Sequence, residues 1–205
     1  MFISLEGNIG AGKSTLLDIL KSSGLNIMQE PMSEWVLKGK KGYPINVLEE
    51  FYQDKDGYAY LFQSFCLRTR VRIMKNCDPT KLYILERGIA SDGIFGAIQY
   101  ENGCIDEVEY AVYRYNLEQA KLDTPNVAKK IYIRTSIDTC IKRIAKRNRR
   151  GEEEIPASYL AQLENAHEHW LGNDDDVLIV NGEEDFTDKL VKERLIETIK
   201  TFIHY

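Results

Sequence analysis

The stretch Gly7-Asn8-Ile9-Gly10-Ala11-Gly12-Lys13-Ser14-Thr15 constrains this chain more than any other. It satisfies G-x-x-x-x-G-K-[ST] at every fixed position, the pattern of a loop whose backbone N–H groups cradle nucleotide phosphates. Phe2-Ile3-Ser4-Leu5-Glu6 ahead of it is a short apolar run suited to a buried parallel strand. Leu16-Leu17-Asp18-Ile19-Leu20 behind it has helical spacing. The glycines let the backbone turn inward on phosphate oxygens. Lys13 is placed to reach the β- and γ-phosphates, and the Ser14 hydroxyl to ligate Mg²⁺. The helix N-terminus adds its dipole. The motif predicts nucleoside triphosphate binding, without saying what is done with the nucleotide.

At 205 residues the chain is long enough for one substantial core, and a single domain over 1–205 is expected. The formal charge of −5 argues against a general nucleic-acid-binding role. No run of 18 or more apolar residues exists, so no membrane span is expected. The first strand-like run begins at residue 2, which leaves no room for a signal or transit peptide. Cys66, Cys77, Cys104 and Cys140 are scattered, with no C-x-x-C and no zinc spacing. They predict idle thiols in a reducing, cytoplasmic setting.

Apolar runs at Phe2–Leu5, Leu25–Gln29, Leu82–Leu85, Lys130–Ile133 and Val177–Val180 read as strands buried on both faces. Helical segments are expected near Val47–Lys75, Ser91–Gln99, Ile105–Ala120, Ile137–Asn148, Ala157–Leu171 and Asp188–Phe202. The alternation implies a three-layer α/β fold. Ligands in such sheets bind beyond the carboxyl ends of the strands. Glu6, Glu30, Glu86 and Arg87 all lie just past strand ends, so they converge beside the phosphate loop.

Phosphoryl transfer needs a group that activates the nucleophile, a metal, and cations over the moving phosphoryl. Glu30, stiffened by Pro31, is a candidate base, its bland alternative being a surface turn residue. Glu86 is a candidate Mg²⁺ partner acting with Ser14, the alternative being a salt bridge to Arg87. Arg143, Arg147 and Arg150 fall near one helical face by their spacing. Such a run is usually a solvated face, but a triphosphate site gives it work. Trp35, Tyr52, Phe62, Phe65 and Phe95 supply aromatic surface. Tyr52 and Phe62 share the long predicted helix with Gln63 and Arg70, so an amide stands beside an aromatic wall, as suits a nucleobase. Core packing would account for any one of these aromatics.

Together these residues resemble the deoxynucleoside kinase family that includes deoxycytidine and deoxyguanosine kinases. The resemblance covers nearly the whole chain: E-G-N-I-G-A-G-K-S-T at Glu6–Thr15, E-P-x-x-x-W at Glu30–Trp35, F-Q-S at Phe62–Ser64, E-R at Glu86-Arg87, R-x-R with a following acid at Arg147–Glu152, and H-E-x-W-L at His167–Leu171. It implies a P-loop kinase fold, a five-stranded parallel sheet flanked by helices, with an arginine-rich lid at about 143–154. It implies that Glu30 deprotonates the 5′-hydroxyl, that Arg87 holds Glu30, and that Tyr52 and Glu152 bind the sugar 3′-hydroxyl. Gln63 would read the base, Phe62 and Phe95 would sandwich it, and Trp35 and Ile9 would line the pocket. Arg143, Arg147 and Arg149 would be the lid arginines, and Glu184-Asp185-Phe186 would frame the donor's base. His167 and Trp170 would be structural. Arg70 and Asp92 match the pair by which family members that accept amino-bearing bases differ from those preferring thymidine. Deoxycytidine, deoxyadenosine or deoxyguanosine are therefore expected over thymidine.

The family's E-R-S is E-R-G here, with Gly88. The implied reaction is transfer of the γ-phosphoryl of ATP to a deoxynucleoside in nucleotide salvage, with Mg²⁺. A homodimer is implied as well, with Ser91–Gln99 and Ile105–Ala120 apolar enough to form its interface. The rivals are a nucleoside monophosphate kinase, with Arg70 serving the acceptor's phosphate, a P-loop ATPase switch, and a non-catalytic nucleotide-binding module.

Overall fold

Phe2–Gly7 (β1) is buried at every position, because it is the middle strand of a parallel sheet. The structure, a computed structural model, describes residues 1–204. In chain order the elements after β1 are α1 (Lys13–Ser22), β2 (Ile27–Met28), a 3₁₀ turn (Met32–Trp35), β3 (Val36–Lys38), β4 (Pro44–Asn46), α2 (Val47–Gln53) and α3 (Lys55–Lys75). There follow β5 (Tyr83–Glu86), α4 (Ile89–Glu101), α5 (Glu107–Asp123), β6 (Val127–Arg134) and α6 (Ile137–Arg147). A second 3₁₀ turn (Glu152–Glu154), α7 (Ala157–Leu171), β7 (Val177–Asn181) and α8 (Lys189–His204) complete the described chain. The five-stranded sheet has the order β2-β5-β1-β6-β7, and every pairing is parallel. All five expected sheet strands are present, flanked by helices in an α/β P-loop kinase fold.

The pleat sends alternate residues of β1 to opposite layers. Ile3 and Leu5 pack with Leu16, Leu20, Leu195 and Ile199 of α1 and α8. Phe2 packs with Leu67, Ile89, Tyr113 and Leu117 of α3, α4 and α5. Glu6 shares the Phe2 face and is fully buried at its carboxyl end.

The long helix expected over Val47–Lys75 is two helices, broken at Asp54. The Asp54 carboxylate caps α3 by accepting the Gly57 N–H at 3.0 Å, so Tyr52 and Phe62 do not share a helix. Asn148 adopts the left-handed conformation and ends α6 at Arg147, three residues short of Arg150. The spacing that joined Arg150 to Arg143 and Arg147 therefore fails. Arg150 is exposed and pairs with Glu49 instead. The short hairpin β3–β4 was not expected.

Candidate active site

A cavity of about 780 Å³ opens beyond the carboxyl ends of β1, β2 and β5, as parallel-sheet geometry requires. That volume lies within the range of small-molecule sites. Gly10, Gly12, Lys13, Ser14 and Thr15 form its floor. Gly12 has a φ of 103° and caps α1 with no side chain, so the first N–H groups of that helix are open to an anion. A Cβ on Gly10 would lie 2.6 Å from the Cys140 carbonyl oxygen, so only glycine fits there. The buried Lys13 Nζ donates to the carbonyls of Gly7 (3.1 Å) and Asn8 (2.8 Å). Burial, and then the nearby Arg87 charge, lower its pKa to about 7. The Asn8 amide braces the loop by donating to the Leu160 carbonyl at 2.9 Å.

Ser14 Oγ donates to Glu86 Oε1 at 3.0 Å on the cavity wall. A hydroxyl and a carboxylate so placed are the hard oxygen donors that fit Mg²⁺, a cation that completes its shell with water and phosphate oxygens.

The acceptor end is built on buried ion pairs. Arg70, in the middle of α3, donates from Nε and Nη2 to Asp92 (2.8 and 3.3 Å) and from Nη2 to Glu30 (3.1 Å). Its Nη1 donates to the carbonyls of Glu86 (2.7 Å) and Arg87 (3.2 Å). Arg87 adds a second contact to Glu30 at 3.4 Å and lies over the Phe95 ring, 4.8 Å from its centroid. Arg87 Nε is buried without a partner. Burial opposes ionisation of Glu30, but the Arg87 and Arg70 charges overcome it and hold the pKa at about 2. Burial pushes the Asp92 carboxyl upward while Arg70 pulls it down.

Phe62 is stacked on Phe51 at 4.8 Å and edge-on to Trp35 at 5.4 Å. The Trp35 indole N–H donates to Thr69 Oγ1 at 3.3 Å. Gln63 is buried on the same wall. Opposite it, the buried Glu152 carboxylate accepts two bonds from Arg147 (2.9 and 2.6 Å) and one from Arg149 (2.8 Å). Burial raises the pKa of the neighbouring Tyr52 hydroxyl. Arg143 donates to the Ala11 carbonyl at 3.0 Å, at the edge of the phosphate loop.

The structure thus brings together Ile9, Trp35, Tyr52, Phe62, Gln63, Arg70, Arg87, Asp92, Phe95, Glu152 and the lid arginines on one cavity with Glu30 and the loop. Gly7, Asn8 and Ala11 support the loop without lining the cavity. Glu184 turns away and pairs with Arg194 at 2.5 Å. Glu183 lines the wall in its place, beside Asp185, Phe186 and Thr187. Met32, Leu48, Cys66 and Lys146 also line the cavity and were not singled out in the sequence. Two of these were within reach of spacing: Leu48 is one helical turn before Tyr52, and Cys66 lies between Gln63 and Arg70 on one face. His167 is buried, with Nδ1 2.6 Å from the Leu163 carbonyl, away from the cavity wall.

The deoxynucleoside kinase family model matches residues 3–204. The chain belongs to the deoxynucleoside kinase family. A fowlpox virus protein described as a probable deoxycytidine kinase is 37% identical over 196 residues, covering 91% of this chain and 80% of its own. Human deoxycytidine kinase is 31% identical over 242 residues, with 98% and 90% covered. A thymidine kinase of ictalurid herpesvirus 1 is 29% identical over 196 residues, with 92% and 83% covered. The chain is a deoxynucleoside kinase, and membership implies a nucleoside triphosphate as phosphoryl donor. No helix among the described residues is long and apolar enough to cross a membrane.

Proposed function

We propose that this kinase transfers the γ-phosphoryl of ATP to the 5′-hydroxyl of deoxycytidine, deoxyadenosine or deoxyguanosine in preference to thymidine, in nucleotide salvage. The Arg70–Asp92 pair beside Gln63 carries the reading of the base. Arg70 commits both contacts to Asp92 and the rest to Glu30 and two backbone carbonyls, so it fixes the Asp92 carboxylate as an acceptor rather than reading the base itself. A carboxylate welcomes the exocyclic amino group of cytosine or adenine, whereas thymine would set a carbonyl against it. Two relatives named deoxycytidine kinase support the preference, and one named thymidine kinase marks what must be tested.

The reaction is an in-line displacement. The 5′-oxygen bonds to the γ-phosphorus as the bond to the β–γ bridging oxygen breaks, and the hydroxyl proton passes to Glu30. A carboxylate held at about 2 is always ionised near neutrality but is a weak base. That suits a loose transition state, in which the hydroxyl loses its proton late and orientation matters most. Arg87 orients Glu30, while Lys13, Arg143, Arg147 and Arg149 hold phosphoryl charge. Ser14 and Glu86 would hold Mg²⁺, which when bound neutralises charge on the β- and γ-phosphate oxygens. Tyr52 and Glu152 take the sugar 3′-hydroxyl. Asp185 and Phe186 frame the donor's base.

A monophosphate kinase would need a free cation for the acceptor's phosphate, and Arg70, its candidate here, is already engaged by two carboxylates. For the proposed homodimer, α4 presents no exposed large apolar side chain. Val108, Val112 and Tyr115 of α5, with Tyr58 and Leu61 of α3, are exposed and form the better face. Val112→Glu should then turn a dimer into a monomer in sedimentation. The function is tested by phosphoryl transfer from labelled ATP to dC, dA, dG, dT and dCMP in parallel. Transfer to the amino-bearing deoxynucleosides, with thymidine lower in kcat/KM, is expected. Transfer to dCMP alone, or thymidine as best acceptor, contradicts the reading.

A further inference from the structure

Arg87 is one of two non-glycine residues with positive φ among the described residues, at 63°. An L-residue there is under strain unless its surroundings hold it. Two adjacent residues of β1 do so. The Leu5 carbonyl accepts the Arg87 N–H at 3.1 Å, and Glu6 Oε1 accepts the Gly88 N–H at 3.0 Å. Glu6 Oε2 then accepts the Ser91 hydroxyl at 2.6 Å. Glu6 and Ser91 are both fully buried.

Gly88 is the N-cap of α4 and has no side chain with which to cap it. Ser, Thr, Asp or Asn ordinarily supplies that oxygen from the N-cap itself. Here a carboxylate from the central strand stands at the positive end of the helix instead, taking the N–H of the N-cap residue itself and the hydroxyl of the third helical residue. Neither of its two partners is a cation, so a carboxyl group is buried on one N–H and one hydroxyl, an arrangement that is costly unless geometry demands it. Only a forked acceptor reaches both the Gly88 N–H and the Ser91 hydroxyl. Those two points fix what stands next to them: Arg87 before Gly88, and Asp92 after Ser91.

We infer that Glu6 is a positioning residue, a carboxylate from another strand that pins the start of α4, locks Arg87 in its left-handed conformation against Glu30 and sets Asp92 on the first turn of α4. The inference rests on the reading of Arg87 as the residue that orients Glu30. It adds a residue that touches neither substrate.

The test is a double-mutant cycle in kcat with saturating ATP and deoxycytidine. Glu6→Leu, of similar volume, should lower kcat by about 10- to 100-fold through the two lost hydrogen bonds at the start of α4 and the loosened arginine. In an Arg87→Met background the same change should alter kcat less than about twofold, because its effect passes through Arg87. Loss of folding alone would lower Tm without this dependence on Arg87. If Glu6→Leu does not fold, Ser91→Ala carries the same cycle, with a loss of about threefold expected in the Arg87 background only. A folded Glu6→Leu with wild-type kcat, or equal losses in both backgrounds, overturns the inference. Wild-type kcat in Arg87→Met alone would instead overturn the role given to Arg87, a separate and distinguishable failure.

Discussion

Glu30 and Glu152 are each gripped by two arginines, but with the burial reversed. At Glu30 the arginine side chains are 8% and 7% exposed and the carboxylate is 17% exposed. At Glu152 the carboxylate is 3% exposed and the arginines are 34% and 37% exposed. In the proposed mechanism the member nearer solvent is the one that serves the transfer step: a proton acceptor at one end of the cavity, cations at the other. The arginines also differ in how firmly they are held. Arg70 has Asp92 and two backbone carbonyls besides Glu30, whereas Arg147 and Arg149 have Glu152. The Glu30 end is therefore preorganised, and on the proposed mechanism Arg147 and Arg149 would exchange one carboxylate for phosphate oxygens.

Arg70→Met breaks that contrast most severely. It strands Asp92, leaves Glu30 with Arg87 alone, and should cost about 3–5 kcal/mol in denaturant unfolding. A loss under about 1 kcal/mol would place Arg70 with the exposed pairs rather than the buried ones. Asp92→Ala sharpens the claim about the base. Relative kcat/KM should move toward thymidine by about 10- to 100-fold, since a site built around an acceptor loses its reason to reject a carbonyl. An unchanged ranking would shift base reading to Gln63 and the aromatic wall. Arg147→Ala probes the other end, where kcat should fall about tenfold while stability changes by less than about 1 kcal/mol. A stability loss as large as that of Arg70→Met would mean the lid is structural.

The smallest effect is a proton. Lys13 titrates near 7 in the free protein, below the ordinary lysine value of 10.5, and a bound triphosphate favours its charged form. Binding of ATP above pH 7 must then take up a proton, and affinity must weaken as pH rises through that range. Calorimetry at pH 8 in buffers of different ionisation enthalpy should show uptake of about one proton, absent in Lys13→Met. No difference between the two proteins would mean that Lys13 is already charged before ATP arrives.

The parts legible in the sequence are those whose signal is local. The phosphate loop is contiguous, and the sheet strands are apolar runs, buried on both faces at β1 and β5 and half-buried at the edges β2 and β7. The break at Asp54 was written in Asp54-Lys55-Asp56-Gly57, a helix-start signature, but apolar spacing continues through it. The hairpin β3–β4 is short and exposed, so it lacks the alternation that marks a half-buried strand. Among Glu183, Glu184 and Asp185 the composition is the same at each position, and only the turn decides which carboxylate faces the cavity. The Arg70–Glu30 contact joins residues 40 apart, and the helix spacing that placed Gln63 beside Arg70 says nothing of it. Nor did sequence reveal that a left-handed Asn148 would detach Arg150 from the lid.

The preorganised carboxylate is tested most directly by turnover of deoxycytidine with labelled ATP by wild type and Glu30→Gln under identical conditions. The amide keeps the shape of the side chain, cannot take the proton, and weakens the hold of Arg70 and Arg87. A fall in kcat of about 10²-fold or more is predicted, with KM for ATP little changed. Equal kcat in the two proteins would contradict the account, because the 5′-hydroxyl would then need no carboxylate at Glu30.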